Sequence, residues 1–172
     1  MSKQQHRGFS VIELLVTVAI VALMSAMAVP VMSGARRRAA VAAAQREVAG
    51  QIRAARFAAI TSNKIMRVRF ACPAAGQYRV IELTGVSSID TDSNRCSYPW
   101  QPDSDPATVP NFDGPIMNLP EGVSFAATQN LEISTRGIVT VTTGSLPGTI
   151  QVTDGSSTFT ITASASGRIQ TP

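Results

Sequence analysis

Gly8-Phe9-Ser10-Val11-Ile12-Glu13-Leu14-Leu15 opens the apolar run on which the reading of the fold turns. From Leu14 to Met32, 19 residues carry no charge, and only Thr17 and Ser25 have polar side chains. At 1.5 Å per residue, a helix of that length spans roughly 28 Å, close to the hydrocarbon thickness of a bilayer. An ordinary secretory signal would place a small-residue cleavage site behind its apolar stretch. Here Lys3, His6 and Arg7 stand before Gly8, the run begins directly behind it, and the Glu13 carboxylate sits at its lip.

The octet resembles the type III signal sequence of type IV pilins and type II secretion pseudopilins: Gly, then Phe, then Glu five residues after the Gly, at the mouth of a membrane helix. The resemblance implies cutting by prepilin peptidase between Gly8 and Phe9 on the cytoplasmic face, then N-methylation of Phe9. The apolar run then stays on the mature chain, with Glu13 as its fifth residue. The physics of Glu13 stands apart from the resemblance. A carboxylate in an apolar helix costs about 2.5–3.5 kcal/mol on insertion scales unless it is paired or near the interface. The ammonium of a neighbouring subunit's Phe9 would pair with it and set axial register; an interfacial Glu reaching the headgroups is the alternative.

Working outward, charge is unevenly spread. The chain has 15 basic residues against 11 acids. Loss of residues 1–8 removes Lys3 and Arg7 and leaves a nearly balanced chain. Arg36 to Arg69 holds Arg36, Arg37, Arg38, Arg46, Arg53, Arg56, Lys64, Arg67 and Arg69 against Glu47 alone, whereas acids dominate from Arg79 onward. A basic stem and an acidic head suit stacked subunits or an anionic partner; a solvated helix face gives the same pattern. Arg36, Arg37 and Arg38 outnumber Lys3 and Arg7, so a positive-inside count alone would keep the following domain in the cytoplasm. Cys72 and Cys96, a lone pair suited to an oxidising compartment, argue for the periplasm, as does the leader.

Pro30 interrupts the helical pattern, and with Gly34 predicts a kink or local melting. Beyond the arginines, Val41, Ala44, Val48, Ile52, Ala55 and Ala59 recur at helical steps, so one helix is expected from about Ser10 to Ser62 with Asn63 as terminator. Phe57 and Ile60 lie off that stripe and are expected to be covered from another side. Strands are expected at Met66 to Phe70, Tyr78 to Leu83, Leu131 to Ser134, Ile138 to Val141, Thr149 to Thr153 and Ser157 to Thr162, with a short edge element at Gly167-Arg168-Ile169. Asp154-Gly155 marks a hairpin. Residues 84–115 read as a long loop in which Trp100 acts as an apolar plug and Asp90, Asp92, Asp103 and Asp105 are solvated. A Cys72–Cys96 bridge would tie its first half to the end of the first strand.

Leu131 to Val139 and Ser166-Gly167-Arg168-Ile169, in that order, resemble the strand–turn–strand and terminal Gly-Arg motif of the GspH/FimT group of minor pilins and pseudopilins. The resemblance implies an α+β, pilin-like fold: a leader at 1–8, a transmembrane helix at 9–32, an amphipathic helix at 33–63, and a periplasmic β domain at 64–172. It also implies an inner-membrane, single-pass chain that works by assembly with other minor and major pilins or pseudopilins. The partners are prepilin peptidase, those subunits and inner-membrane lipid. Some members of the group bind DNA through a terminal Gly-Arg-x-Arg; here Gln170 replaces the second arginine, leaving Arg168 alone. No cofactor or metal is expected. His6, the single histidine, falls in the leader, so an enzyme is not expected.

Overall fold

A computed structural model describes residues 9–97 and 113–171; the side chains of residues 27–31, 93 and 94 lie outside that description. Trp100, Asp103 and Asp105 are therefore not described. The chain divides into two compact units at Arg37/Arg38, and α1 (Val11–Ser62) contributes to both.

In the first unit, every large apolar side chain described from Phe9 to Met24 is at least half exposed, from Val16 at 51% to Phe9 at 82%. Thr17 and Ser25 spend their hydroxyls on their own helix, on the carbonyls of Leu14 and Val21, each at 2.8 Å. Among the described residues no helix is both long and apolar enough to cross a membrane. The span expected at 9–32 includes residues 27–31, which lie outside the described side chains. The helical assignment continues without interruption through Pro30, so the local melting expected there is not seen in the isolated chain.

The second unit is built on the other half of α1. Val41, Ala44, Val48, Ile52 and Ala59 are fully buried and Ala55 nearly so. Small residues along this stripe let strands approach the helix axis closely, while Gln45 reaches across to donate to the Thr160 carbonyl at 2.8 Å. α1 ends where Asn63 takes a left-handed conformation, φ 55°, and Lys64 N–H donates back to the Ala59 carbonyl at 3.2 Å. A short polar side chain tolerates that conformation, which is why Asn closes the helix.

Among the described residues nine strands follow, in two antiparallel sheets. The first has the order β3 (Met117–Asn118), β2 (Gln77–Glu82), β1 (Met66–Phe70), β5 (Leu131–Ile133), β6 (Val139–Val141). The second has the order β4 (Ser124–Ala127), β7 (Gly148–Thr153), β8 (Thr158–Ala163), β9 (Ile169–Gln170). β1 alternates buried Met66, Val68 and Phe70 with half-buried Arg67 and Arg69, as its two-residue period requires. Phe70, Tyr78 and Phe125 bring the sheets together: Phe125 meets the other two rings edge-on, with centroids 5.3 and 5.9 Å away. The Val139 N–H donates to the Ala165 carbonyl at 3.0 Å, a second link between the sheets.

Candidate assembly surfaces

At the N-terminal end, Gly8 lies outside the described residues and Phe9 stands free, just ahead of α1. Glu13 is exposed in the first turn of α1, where the helix dipole favours a negative charge. Within the described residues no cation lies in salt-bridge contact with it.

On the head, the start of the stretch expected to be a loop is ordered from within. It contains α2 (Ser87–Asp90) and a 3-10 turn (Ser93–Cys96), so it is not structureless. Cys72 and Cys96 are joined by a disulfide. Arg95, almost fully buried, donates from Nε and Nη2 to the Asp113 carboxylate at 3.2 and 2.8 Å, and from Nη2 to the Glu82 carbonyl at 2.6 Å. Its own carbonyl accepts from Arg79 Nη1 at 3.0 Å, and Arg79 Nε donates to the Gly114 carbonyl at 2.7 Å. Burial pushes the Asp113 carboxyl up from the ordinary range, and the adjoining Arg95 guanidinium pulls it partly back. Burial likewise raises the Tyr78 phenol, with Glu47 beside it adding to the effect.

Asp90 corrects one expectation. It is not solvated: it is buried, accepting from the Thr84 N–H and hydroxyl and the Gly85 N–H at 2.8–3.0 Å. A carboxylate that accepts three donors at a turn can leave water at tolerable cost. The sequence signal was the Thr84-Gly85 pair six residues ahead, a spacing with no general signature.

On α1, Arg56 joins three segments. Its Nε donates to the Gly137 carbonyl at 3.0 Å and its Nη2 to the Ser166 carbonyl at 3.1 Å. Arg53 Nη2 donates to the Ile169 carbonyl at 3.2 Å. Gly137 and Gly167 both have positive φ, 75° and 78°, and a Cβ on either would run into Arg56. The glycine of the terminal Gly-Arg motif is thus the space the guanidinium occupies. Arg168 itself is exposed. In the amide orientation that satisfies both groups, the Gln170 side-chain oxygen accepts from its Nε and Nη2 at 3.3 Å. Arg53 and Arg56 were read from sequence only as part of the basic stem, and Arg79, Arg95 and Asp113 were not singled out, because an arginine's target carbonyl leaves no local pattern.

Phe57 and Ile60 give a second correction. They were expected to be covered, yet they are 70% and 47% exposed, because both sheets lie on the alanine-rich side of the helix.

The prokaryotic N-terminal methylation motif matches residues 3–29, and the description of the type II transport protein GspH matches residues 44–167. A comparison with curated proteins returns no match. Among solved structures, the type IV minor pilin FimU of Pseudomonas aeruginosa PAO1 is similar at 11% identity and a TM-score of 0.49, over 78% of this chain and 90% of that one. The minor pseudopilin EpsH from the type 2 secretion system of Vibrio cholerae is similar at 17% identity and a TM-score of 0.48, over 74% of this chain and 92% of that one. The GspH match takes in the disulfide, every described strand except β9, and the Arg56-pinned turns, and extends over more than half of the sequence; on that match the chain belongs to the GspH family of pilin-like subunits.

Proposed function

We propose that the chain is a minor type IV pilin, a structural subunit that helps prime pilus assembly at the tip and so serves adhesion and twitching motility. The observation that carries the subunit reading is the apolar half of α1, with side chains from Phe9 to Met24 standing free in the isolated chain. Fully burying side chains of this kind gains about 1.5–3 kcal/mol each, so the stretch calls for a bilayer before assembly and neighbouring helices after it. The methylation motif supports prepilin peptidase processing at Gly8/Phe9 and a methylated Phe9. In this reading the helix crosses the inner membrane once and the head lies in the periplasm, an assignment supported by the Cys72–Cys96 disulfide. Glu13 would pair with the Phe9 ammonium of an adjacent subunit, and Pro30 would give the helix its place to yield in the filament.

The second reading is a minor pseudopilin of type II secretion, favoured by the description of the matched family. DNA reception draws less support, since Arg168 is shared with Gln170 and the motif's second arginine is missing. A deletion strain tests the choice. Loss of twitching with secretion intact supports the pilus reading, and the reverse result supports the pseudopilus. Glu13→Ala should leave membrane insertion intact and lower recovery of the chain in sheared filaments; recovery at the wild-type level would remove the pairing role.

A further inference from the structure

Phe57, Ile60 and Ile138 form an exposed apolar patch around the turn that Arg56 pins. They are 70%, 47% and 46% exposed, and the Ile60 side chain lies over Gly137, where a Cβ would stand 2.8 Å from its Cδ1. Phe57 follows Arg56 in α1 and sits one turn below Ile60, while Arg136 and Ile138 flank Gly137. The Gly137 and Gly167 turns touch, since a Cβ on Gly167 would stand 2.5 Å from the Gly137 carbonyl oxygen. That contact brings Arg168 to the same place. Arg53, Arg56 and Arg136 thus border the patch, with Arg168 next to the adjoining Gly167 turn, and none of the four makes an ion pair among the described residues. Aromatic and arginine side chains together are what protein interfaces enrich.

We infer that this patch is the seat for a different filament subunit, one presenting an apolar contact ringed by carboxylates; the inference rests on the subunit reading above. Two observations select this occupant. Among the described residues, a second copy of the chain offers little to meet the charge. Among the described carboxylates of the head, Glu82 and Glu132 pair with Lys64 and Arg67, and Asp90 and Asp113 are buried with Arg95. Asp154 caps its own hairpin turn, Asp92 is engaged within the chain, and Glu47 faces Tyr78. Glu121 is left, against four arginines, and a two-fold pairing of the patch with itself would set arginine against arginine. Nucleic acid fits less well. Three large exposed apolar side chains stand at the centre of the patch and offer nothing to phosphate, whereas they suit an apolar protein contact.

The test uses the full chain in its own host, with photoreactive p-benzoylphenylalanine in place of Phe57 and, as control, in place of Glu121. Irradiated filaments should give an adduct from position 57 and none from position 121. Sequencing of the cross-linked peptide should identify a different pilin-like subunit, with acidic residues flanking the joined site. Arg136→Glu and Ile138→Ser, each at an exposed position, should lower that adduct about tenfold. Retention of the Cys72–Cys96 disulfide in both variants checks that the head still folds. An adduct with a second copy, an adduct with nucleic acid, or yields unchanged in both variants overturns the inference. A chain present in filaments yet giving no adduct from position 57 also overturns it and leaves the subunit reading standing. Absence of the wild-type chain from filaments and from secretion complexes alike would overturn the subunit reading itself.

Discussion

Arg95 carries more of the head's order than any residue the sequence advertises. It is buried beside Asp113, close to Arg79 and 3.8 Å from Asp90, and it ties α2, the disulfide turn and β2 together. Removing one partner of such a pair leaves the other charge stranded, so Arg95→Met should destabilise the head by about 3–5 kcal/mol near neutral pH. The pH dependence has a definite sign. The folded Asp113 carboxyl lies above its unfolded value, so this contribution to stability is present below the ordinary carboxylate range and is lost as pH rises through the raised value. Without Arg95 to pull it back, the carboxyl rises further and the window of loss extends upward. Urea midpoints of Arg95→Met should therefore fall further below wild type as pH increases, and a gap independent of pH would contradict the account. At Gly167, Ala would have to hold a φ of 78° and displace Arg56, so Gly167→Ala should destabilise by about 1–3 kcal/mol. The glycine was legible in the sequence as part of a terminal motif. The arginine it makes room for was not, because the pair is 111 residues apart.

α1 shows what periodicity can and cannot say about an element. The alanine and valine stripe located the buried face residue by residue, since a helix packed on one side must repeat its apolar positions near 3.6. Ile52→Ala should accordingly cost about 2–5 kcal/mol in urea unfolding, because a fully buried side chain leaves a cavity behind. Phe57→Ala, though it deletes a larger group, should shift stability by no more than about 0.5 kcal/mol, since that ring is exposed. Equal losses at the two positions would mean that the ring is covered within the chain. Apolar character off the stripe suggested a second covering layer; the pattern reports what a residue prefers and not whether this chain supplies it. The longer strands were legible from alternation, and the hairpin from Asp154-Gly155. β3 and β4 were not, being short, with β4 lying mostly exposed and shifting register between Phe125 and Ala127.

For the whole molecule, the division at Arg37/Arg38 and the disulfide decide which parts can stand alone. The division into two sheets was not legible, because β1 finds β5 across some sixty residues and no local signal records that pairing. The core, however, begins at Val41, so a fragment from Arg38 onward keeps every buried residue of the head. That fragment should unfold as one cooperative transition in water, whereas the chain from Phe9 should need detergent, since its apolar half-helix has nothing to cover it. The bridge closes a separation of 24 residues, which the chain-entropy model values at about 3–4 kcal/mol. Reduction frees Cys96 next to Arg95, so the loss should fall on the ordered loop as well as on the unfolded state. Hydrogen exchange of the reduced fragment should therefore quicken first at residues 84–97, with β7 and β8 protected until global unfolding. Uniform quickening across both sheets would show instead that the bridge acts on the unfolded chain alone.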